Sequence, residues 1–341
     1  MPRKYISLLC FLLGLLFYTG CQKPAEPITK TAFYFDTMIQ ITLYDNTEEA
    51  LIDDCFQMAA AYEQLLSRTA AGSDIDQINQ AAGQPVSVSS DTIALLEKGI
   101  SYYALSGGAF DLTMGPLSDL WNISGNPGTV PLPEEIASAL SHVGTDRISI
   151  QGNTVTIADP LASLDLGGIA KGFIADEMKH YLNEQGVTEG IINLGGNVLT
   201  LGPKSNGSPY VIGIQKPFSQ EGAPLLSVAL TDGTVVSSGV YERYFQVGEK
   251  IYHHILNPAD GYPYDNGLYS VTILCQSSAD ADALSTACFG LGLTEGLALI
   301  ETLPNTEAVF ITDAYEVVVS SGMGEKIPYT LYEEPTADTA P

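Results

Sequence analysis

Basic residues are scarce in this chain: 14 Lys and Arg stand against 40 Asp and Glu, leaving a formal charge of −26. Nothing basic clusters to follow a phosphate backbone, which excludes nucleic acid as a partner. A phosphorylated small ligand must then be held by a local lysine, by backbone amides or by a metal, against the overall field. Long apolar runs are lacking as well. Past the N-terminal segment none reads as the roughly twenty apolar residues that a membrane span needs. Disulfides are not expected either. Of five cysteines, Cys55, Cys275 and Cys288 lie in apolar stretches and read as small buried hydrophobes, not as a bridge framework or a metal cluster. The sequence has no Gly-x-Ser-x-Gly elbow and no Gly-x4-Gly-Lys-Ser/Thr loop. Gly290-Leu-Gly292-Leu-Thr-Glu-Gly296 is wrongly spaced for a dinucleotide fingerprint. Internal repeats and low-complexity inserts are absent.

The N-terminus carries a targeting pattern. Arg3 and Lys4 precede an apolar run from Tyr5 to Tyr18, and Thr19-Gly20 lead into Cys21. A basic end, a short apolar stretch and small residues describe a secretory signal over 1–20. Small residues before a cysteine resemble a lipobox, although Tyr18 stands where leucine is usual. Cys21 is therefore the expected lipidation site, with residues 21–31 as a tether. The protein is expected to be exported and lipid-anchored to the outer face of the cell membrane. The folded domain is expected over 32–331 and a frayed tail over 332–341.

Periodicity gives a mixed fold. Residues 33–44 alternate as a strand, and a helical stripe runs from Glu48 to Leu66. Helices are expected over 91–105, capped by Ser90 or Asp91, after Gly115-Pro116, and over 170–183, 279–291 and 294–302. Residues 146–158 read as a hairpin. Strands are expected at 189–194, 197–201, 210–215, 225–231, 234–237, 243–247, 250–256, 268–275 and 306–320. Hairpins among long helices favour an α+β fold over a doubly wound parallel sheet.

Four clusters carry candidate chemistry. In Leu164-Asp165-Leu-Gly167-Gly168-Ile-Ala-Lys171-Gly172, a glycine pair permits close backbone approach, and the following helix would aim free amides at a phosphate. In Ala279-Asp280-Ala-Asp282-Ala-Leu-Ser-Thr286, Asp282 and Thr286 share a helix face, so a carboxylate and a hydroxyl can converge as Mg²⁺ donors. Asp280 or Asp282 could equally serve as a helix cap. In Gly107-Gly108-Ala109-Phe110-Asp111, glycines flank an aromatic ring and a carboxylate, suiting a ligand-gripping loop; Phe110 as core and Asp111 as a turn cap is the alternative. His253 and His254 are adjacent on a strand and so face opposite sides, with no third ligand nearby for zinc. One of them reads better as an acid/base or a hydrogen-bond donor. Ser238-Gly239 marks a further tight backbone approach.

Taken in order, these motifs resemble the FAD:protein FMN transferases, or ApbE family. The resemblance runs nearly end to end, from Phe35-Asp-Thr37 and Ser73-Asp-Ile-x-x-Ile-Asn79 through the clusters above, with Ile192-Asn-Leu-Gly-Gly-Asn197 and His254-Ile255-x-x-Pro258. It implies a T-fold-like core of mainly antiparallel sheet packed with helices, binding Mg²⁺ with FAD as substrate. It also implies transfer of the FMN moiety to a Thr/Ser hydroxyl of an exported acceptor protein bearing a flavinylation motif, with AMP released. Carried over by position, Gly168, Asp282 and Thr286 hold the metal. Phe35, Ala109, Phe110, Asp111, Asp165, Lys171 and Ile255 line the FAD pocket, and His254 is the base. Departures are Phe35-Asp36 where many relatives have Met-Gly, Asn257 for a commoner Asp, and Ala259-Asp260-Gly261 for a Thr-Gly pair. The residues themselves leave open hydrolysis of FAD to FMN and AMP, and non-catalytic flavin binding. The chain contains no Asp-x-x-Ser/Thr-Gly-Ala-Thr segment of its own, so the acceptor is expected to be another protein.

Overall fold

The computed structural model describes residues 26–332 apart from 46–47, 126–127 and 220–222. The signal segment, Cys21, the start of the tether and the tail beyond Tyr332 lie outside the described residues. An eight-stranded sheet forms the centre, in the order β1 (Ile28–Tyr34), β2 (Thr37–Leu43), β6 (Gly190–Leu194), β7 (Asn197–Leu201), β10 (Gly233–Gly239), β13 (Leu268–Cys275), β14 (Glu307–Thr312) and β15 (Val317–Val319). Every pairing in it is antiparallel. The α+β expectation, built on a mainly antiparallel sheet, holds.

Alternation decides which face is covered. On β2, Ile39, Ile41 and Leu43 are fully buried while Met38 and Gln40 are exposed. The buried face carries helices α1 (Glu49–Leu66) and α6 (Ala170–Glu184), whose Ile52, Cys55, Ile174 and Met178 join Ile39, Ile41 and Leu199 in one cluster. Helix α7 (Ser278–Thr302) covers the neighbouring stretch, with Ala281, Leu284 and Cys288 against Val236, Val271 and Ile273. On the opposite face lies a small sheet of β8 (Tyr210–Gln215), β9 (Pro224–Leu230) and β16 (Tyr329–Leu331), packed on Leu274, Val309 and Ile311. Each fully buried Leu or Ile contributes about 1.5–3 kcal/mol, so these clusters are the main source of stability.

Two further units flank the sheet. Around Leu112, Leu164 and Leu166 pack α2 (Asp74–Gln80), α3 (Ser90–Leu105) and a sheet of β3 (Val86–Ser87), β4 (Ile148–Gln151) and β5 (Thr154–Ile157). Around Trp121 pack α4 (Gly115–Trp121), α5 (Pro133–Leu140) and the hairpin of β11 (Tyr244–Val247) and β12 (Lys250–His253).

Several boundaries differ from expectation. The strand expected over 33–44 is instead a hairpin, turning at Phe35 and Asp36, which both take positive φ (54° and 56°). β1 begins at Ile28, so the end of the expected tether is a paired strand. The strand over 306–320 divides into β14 and β15, and the one over 250–256 stops at His253. Helix α3 is capped by Ser89, whose side chain accepts from Thr92 N, not by Ser90 or Asp91. Helices α2 and α5 carry too short a stripe to stand out in the sequence. The two helices expected at 279–291 and 294–302 form one element broken at Gly292 (φ 77°, ψ 177°). By length and composition α7 is apolar enough to cross a membrane, contrary to the expected absence of a second such run, and here it serves as a core helix against the sheet.

Candidate active site

The site forms where α6 and α7 cross. Helix α6 has Ile169 at its N-cap, a residue with no side-chain acceptor; Ala170 N finds Leu166 O at 2.9 Å, and the cap itself offers nothing to Gly172 N. Asp282, one turn into α7 and only 3% exposed, supplies the acceptor from outside: its Oδ2 accepts from Gly172 N at 3.0 Å. The carboxylate thus meets the positive end of α6. Lys171 adds a full positive charge, its Nζ lying 3.5 Å from Asp282 Oδ1 and donating to Gly167 O at 3.2 Å. The amides expected to face a phosphate are therefore partly engaged by a protein carboxylate. Gly172 is what allows the crossing, since a β-carbon there would overlap the Ser278 carbonyl.

The glycine turn is held from two sides. Asp165 Oδ1 accepts from Gly167 N at 2.9 Å, and Asp165 N donates to Leu112 O at 2.8 Å, tying the turn to the Phe110 loop. A β-carbon on Gly168 would lie 3.3 Å from Thr286 Oγ1 and 3.2 Å from the Phe110 ring, so Gly168 abuts both. Thr286 in turn meets Ser238 at the end of β10, 3.3 Å between hydroxyl oxygens, and Ser238 also meets Ser285 at 2.8 Å. Gly168 thus adjoins Thr286, and Asp282 lies one turn earlier on the same helix as Thr286. Asp280 is not among them; it pairs with Lys98, while Ser277 caps α7 by accepting from Asp280 N.

A carbonyl, a carboxylate and a hydroxyl are hard oxygen donors suited to Mg²⁺, and Asp282 Oδ1 has only the long Lys171 contact to give up. The residues fit that ion. Among the described residues no three His, Cys, Asp or Glu side chains come together as a metal cluster, so a zinc-type donor set is not formed there.

The two histidines differ in their surroundings, His253 closing β12 and His254 following it. His253 is buried; its Nε2 donates to Tyr264 O at 2.9 Å and its Nδ1 accepts from Ile255 N at 3.3 Å, which leaves neither nitrogen for chemistry. Burial pushes it down to about 4. His254 lies just past the strand and is only partly buried. Its Nδ1 stands 3.3 Å from Arg243 O, which can only accept, so Nδ1 carries the proton and the lone pair of Nε2 is the basic site. Enclosure by protein, then the nearby Arg243 charge, hold His254 well below the ordinary imidazole value, with Lys171 adding to the effect. It is neutral at pH 7.

The remaining expected ligand residues fall around this centre. Phe110 is core-buried against Gly168. Asp111 is also buried, and its carboxylate accepts from Thr113 N and Oγ1 (both 2.6 Å), Thr145 Oγ1 (2.8 Å) and Thr145 N (3.1 Å). It therefore shapes the loop, and it also lines a cavity there. Ala109 is tied to the histidine loop through its carbonyl, which accepts from Tyr264 Oη at 3.2 Å. Ile255 is buried beside His254 and accepts from Tyr264 N. Phe35 sits at the β1–β2 tip, its N donating to Glu63 Oε1 at 2.6 Å, in the cluster that includes Phe173 of α6.

Two open cavities lie about Asn257, Tyr264 and Gly290, which line both. One of about 660 Å³ is lined by Gly108, Ala109, Asp111, Gly144, Pro258 and Tyr264; the other, about 560 Å³, lies beyond Asn257 and Gly290. Both are within the range of small-molecule sites. Neither is lined by Lys171, Asp282 or Thr286, so neither contains the charged cluster. Ser238, Arg243 and Tyr264 carry no site role in the sequence reading. Ser238-Gly239 stands out there only as a glycine approach, and Arg243 orients His254 through a main-chain carbonyl that any residue would supply, while its charge acts across space.

The family model described as the ApbE family matches residues 35–310. A FAD:protein FMN transferase of Klebsiella pneumoniae (strain 342) is 38% identical over 294 residues, covering 85% of this chain and 91% of its own. One from Treponema pallidum (strain Nichols) is 32% identical over 340 residues, covering 94% of each. Among solved structures, the flavin transferase ApbE from Vibrio cholerae superposes with a TM-score of 0.79 at 28% identity, over 87% of this chain and 98% of its own. A family match over most of the length, with relatives above 30% identity, means that this chain belongs to the ApbE family.

Proposed function

We infer that this protein transfers the FMN moiety of FAD to a Thr or Ser hydroxyl of an acceptor protein and releases AMP. The observation that carries the reading is the meeting of Lys171, Asp282, Thr286 and Gly168 at the start of α6. Splitting a diphosphate requires neutralised oxygens, a removed proton and exclusion of water. Gly168 O, Asp282 and Thr286 are the residues that would hold Mg²⁺, which when bound supplies charge neutralisation at the diphosphate oxygens. Lys171 stands ready to exchange Gly167 O and Asp282 for a phosphate oxygen. His254 Nε2 takes the proton of the acceptor hydroxyl as that oxygen bonds to the FMN phosphorus and AMP departs. Phe110 and Ile255 keep the centre apolar on one side.

The test is to mix the purified chain with FAD, Mg²⁺ and an acceptor domain, then measure AMP and flavin fluorescence on the denatured acceptor. AMP with labelled acceptor is expected. AMP with free FMN alone would make water the acceptor, and no AMP would leave only flavin binding. Asp282→Ala is expected to lower AMP release by roughly 100-fold or more; a rate equal to the parent's would remove Asp282 from the site.

Export and lipid anchoring at Cys21 are part of the same proposal, supported by the Tyr5–Tyr18 run and the small residues before the cysteine. Labelled fatty acid should enter the parent and not Cys21→Ala; equal labelling refutes the anchor.

A further inference from the structure

Asn197 is a motif residue to which the reaction above gives no work. It is 2% exposed, and its Nδ2 is buried without a hydrogen-bond partner. A buried unpaired amide costs stability, and such groups persist where another state of the molecule uses them. Its position shows what that use is. By alternation Asn197 shares the helix-covered face of β7 with Leu199 and Leu201. The β7–β10 ladder sets Leu199 opposite Thr234 and Val198 opposite Val235, so its next step brings Asn197 beside Val236.

Helix α7 tracks over β10 in the same order. Thr234 Oγ1 meets Ser278 Oγ at 3.2 Å, Val236 packs in the cluster that holds Ala281, and Ser238 meets Ser285 at 2.8 Å. The level of Val236 is therefore that of Ala281 and Asp282. Asp282 is turned from α7 toward α6, where it accepts from Gly172 N. Asn197, one strand nearer α6 than Val236, lies on the sheet floor below that crossing.

We propose that Asn197 is a positioning residue for Asp282, donating from Nδ2 to this carboxylate once Oδ1 leaves Lys171 for the metal. The inference rests on the function proposed above. In the metal-free protein Gly172 N and Lys171 hold Asp282, and the Asn197 amide waits unpaired. With the cation in place, Lys171 turns to the diphosphate, and Asn197 takes over as the neutral donor that fixes the ligand's orientation. A carboxylate ligand held by an outer hydrogen bond loses about 10- to 100-fold in metal affinity when that bond is removed.

Two variants of the purified chain test this. Asn197→Leu keeps the volume and deletes the unpaired donor. Its metal-free melting temperature is expected to equal or exceed the parent's, while the Mg²⁺ concentration for half-maximal AMP release rises about 10-fold or more. Asn197→Asp sets a second carboxylate below Asp282. Its metal-free melting temperature is expected to fall, and the gain in melting temperature on adding Mg²⁺ to exceed the parent's. Unchanged half-saturation in the first variant, or a Mg²⁺ gain equal to the parent's in the second, overturns the assignment. Should the parent itself release no AMP from FAD, the proposed function fails, whereas the melting comparison with Mg²⁺ still judges Asn197.

Discussion

At the scale of single residues, the base is tuned by its surroundings. Burial first, and then Arg243, keep the His254 imidazole neutral well below its ordinary value of 6.5. A group that must be unprotonated to work then loses activity only on the acid side of that lowered value. The transfer rate is therefore expected to be flat across neutral pH, with its acid limb below pH 6.5. Arg243→Gln keeps the carbonyl that orients Nδ1 and removes the charge, so the limb should move toward higher pH. Superposed profiles for the two proteins, measured from about pH 5 to 8, would contradict this account. How far the sequence discloses this site depends on how local each contact is. Asp282 and Thr286 are four apart on one helix, and Gly167-Gly168 is a contiguous signature, so both are legible. The support given by Ser238 and by the Arg243 carbonyl is not, because it is created by strand register and by main-chain atoms. The bonds that Asp111 makes are hidden for a related reason. A carboxylate between glycines looks free to meet a ligand, and only the fold brings Thr145 to occupy it.

At the scale of elements, the α6–α7 crossing positions the chemistry, and it is secured twice. Asp176 of α6 accepts from Ser277 Oγ, Ser278 N and Ala279 N, capping α7 from outside, while Asp282 of α7 returns the service to α6. The helices approach closely because residue 172 is glycine. Gly172→Ala would gain about 1 kcal/mol of helix propensity. It would also force the new methyl into the Ser278 backbone, and overpacking at such a contact costs typically 1–3 kcal/mol or more. A net loss of about 1–2 kcal/mol in urea unfolding is expected, together with weaker Mg²⁺ dependence as Asp282 is displaced. A variant as stable as the parent would show that the crossing is not tight. Long periodic helices such as α1 and α3 are readable because a stripe over four or more turns is unambiguous. The β1–β2 hairpin is not, since its turn uses Phe35 and Asp36 at positive φ where Asn-Gly is the usual signal. The Phe35 amide is instead held by Glu63, a partner 28 residues away.

For the whole molecule, acid pH sets two effects against each other. As carboxylates protonate, the formal charge of −26 shrinks and self-repulsion relaxes, which favours the folded state. His253 acts the other way. It is held neutral by burial, with a folded value of about 4 against 6.5 when free, and the bond it donates to the Tyr264 carbonyl only partly offsets that burial. Between these values the unfolded chain binds a proton that the folded protein does not, so stability rises with pH through this window and falls as pH drops. The gap corresponds to about 3 kcal/mol, fully present above pH 6.5 and lost progressively toward pH 4. His253→Gln retains a donor and an acceptor but does not titrate. Its stability at pH 7 is expected to be lower than the parent's, since the fit to Tyr264 and Ile255 is poorer. Between about pH 6.5 and 4, however, the parent should lose about 3 kcal/mol more than the variant in denaturant unfolding. Parallel curves across that range would mean that His253 is protonated in the folded protein. The loop it anchors through Tyr264, which also carries Ala109 and Ile255 beside His254, would then need a different origin for its order.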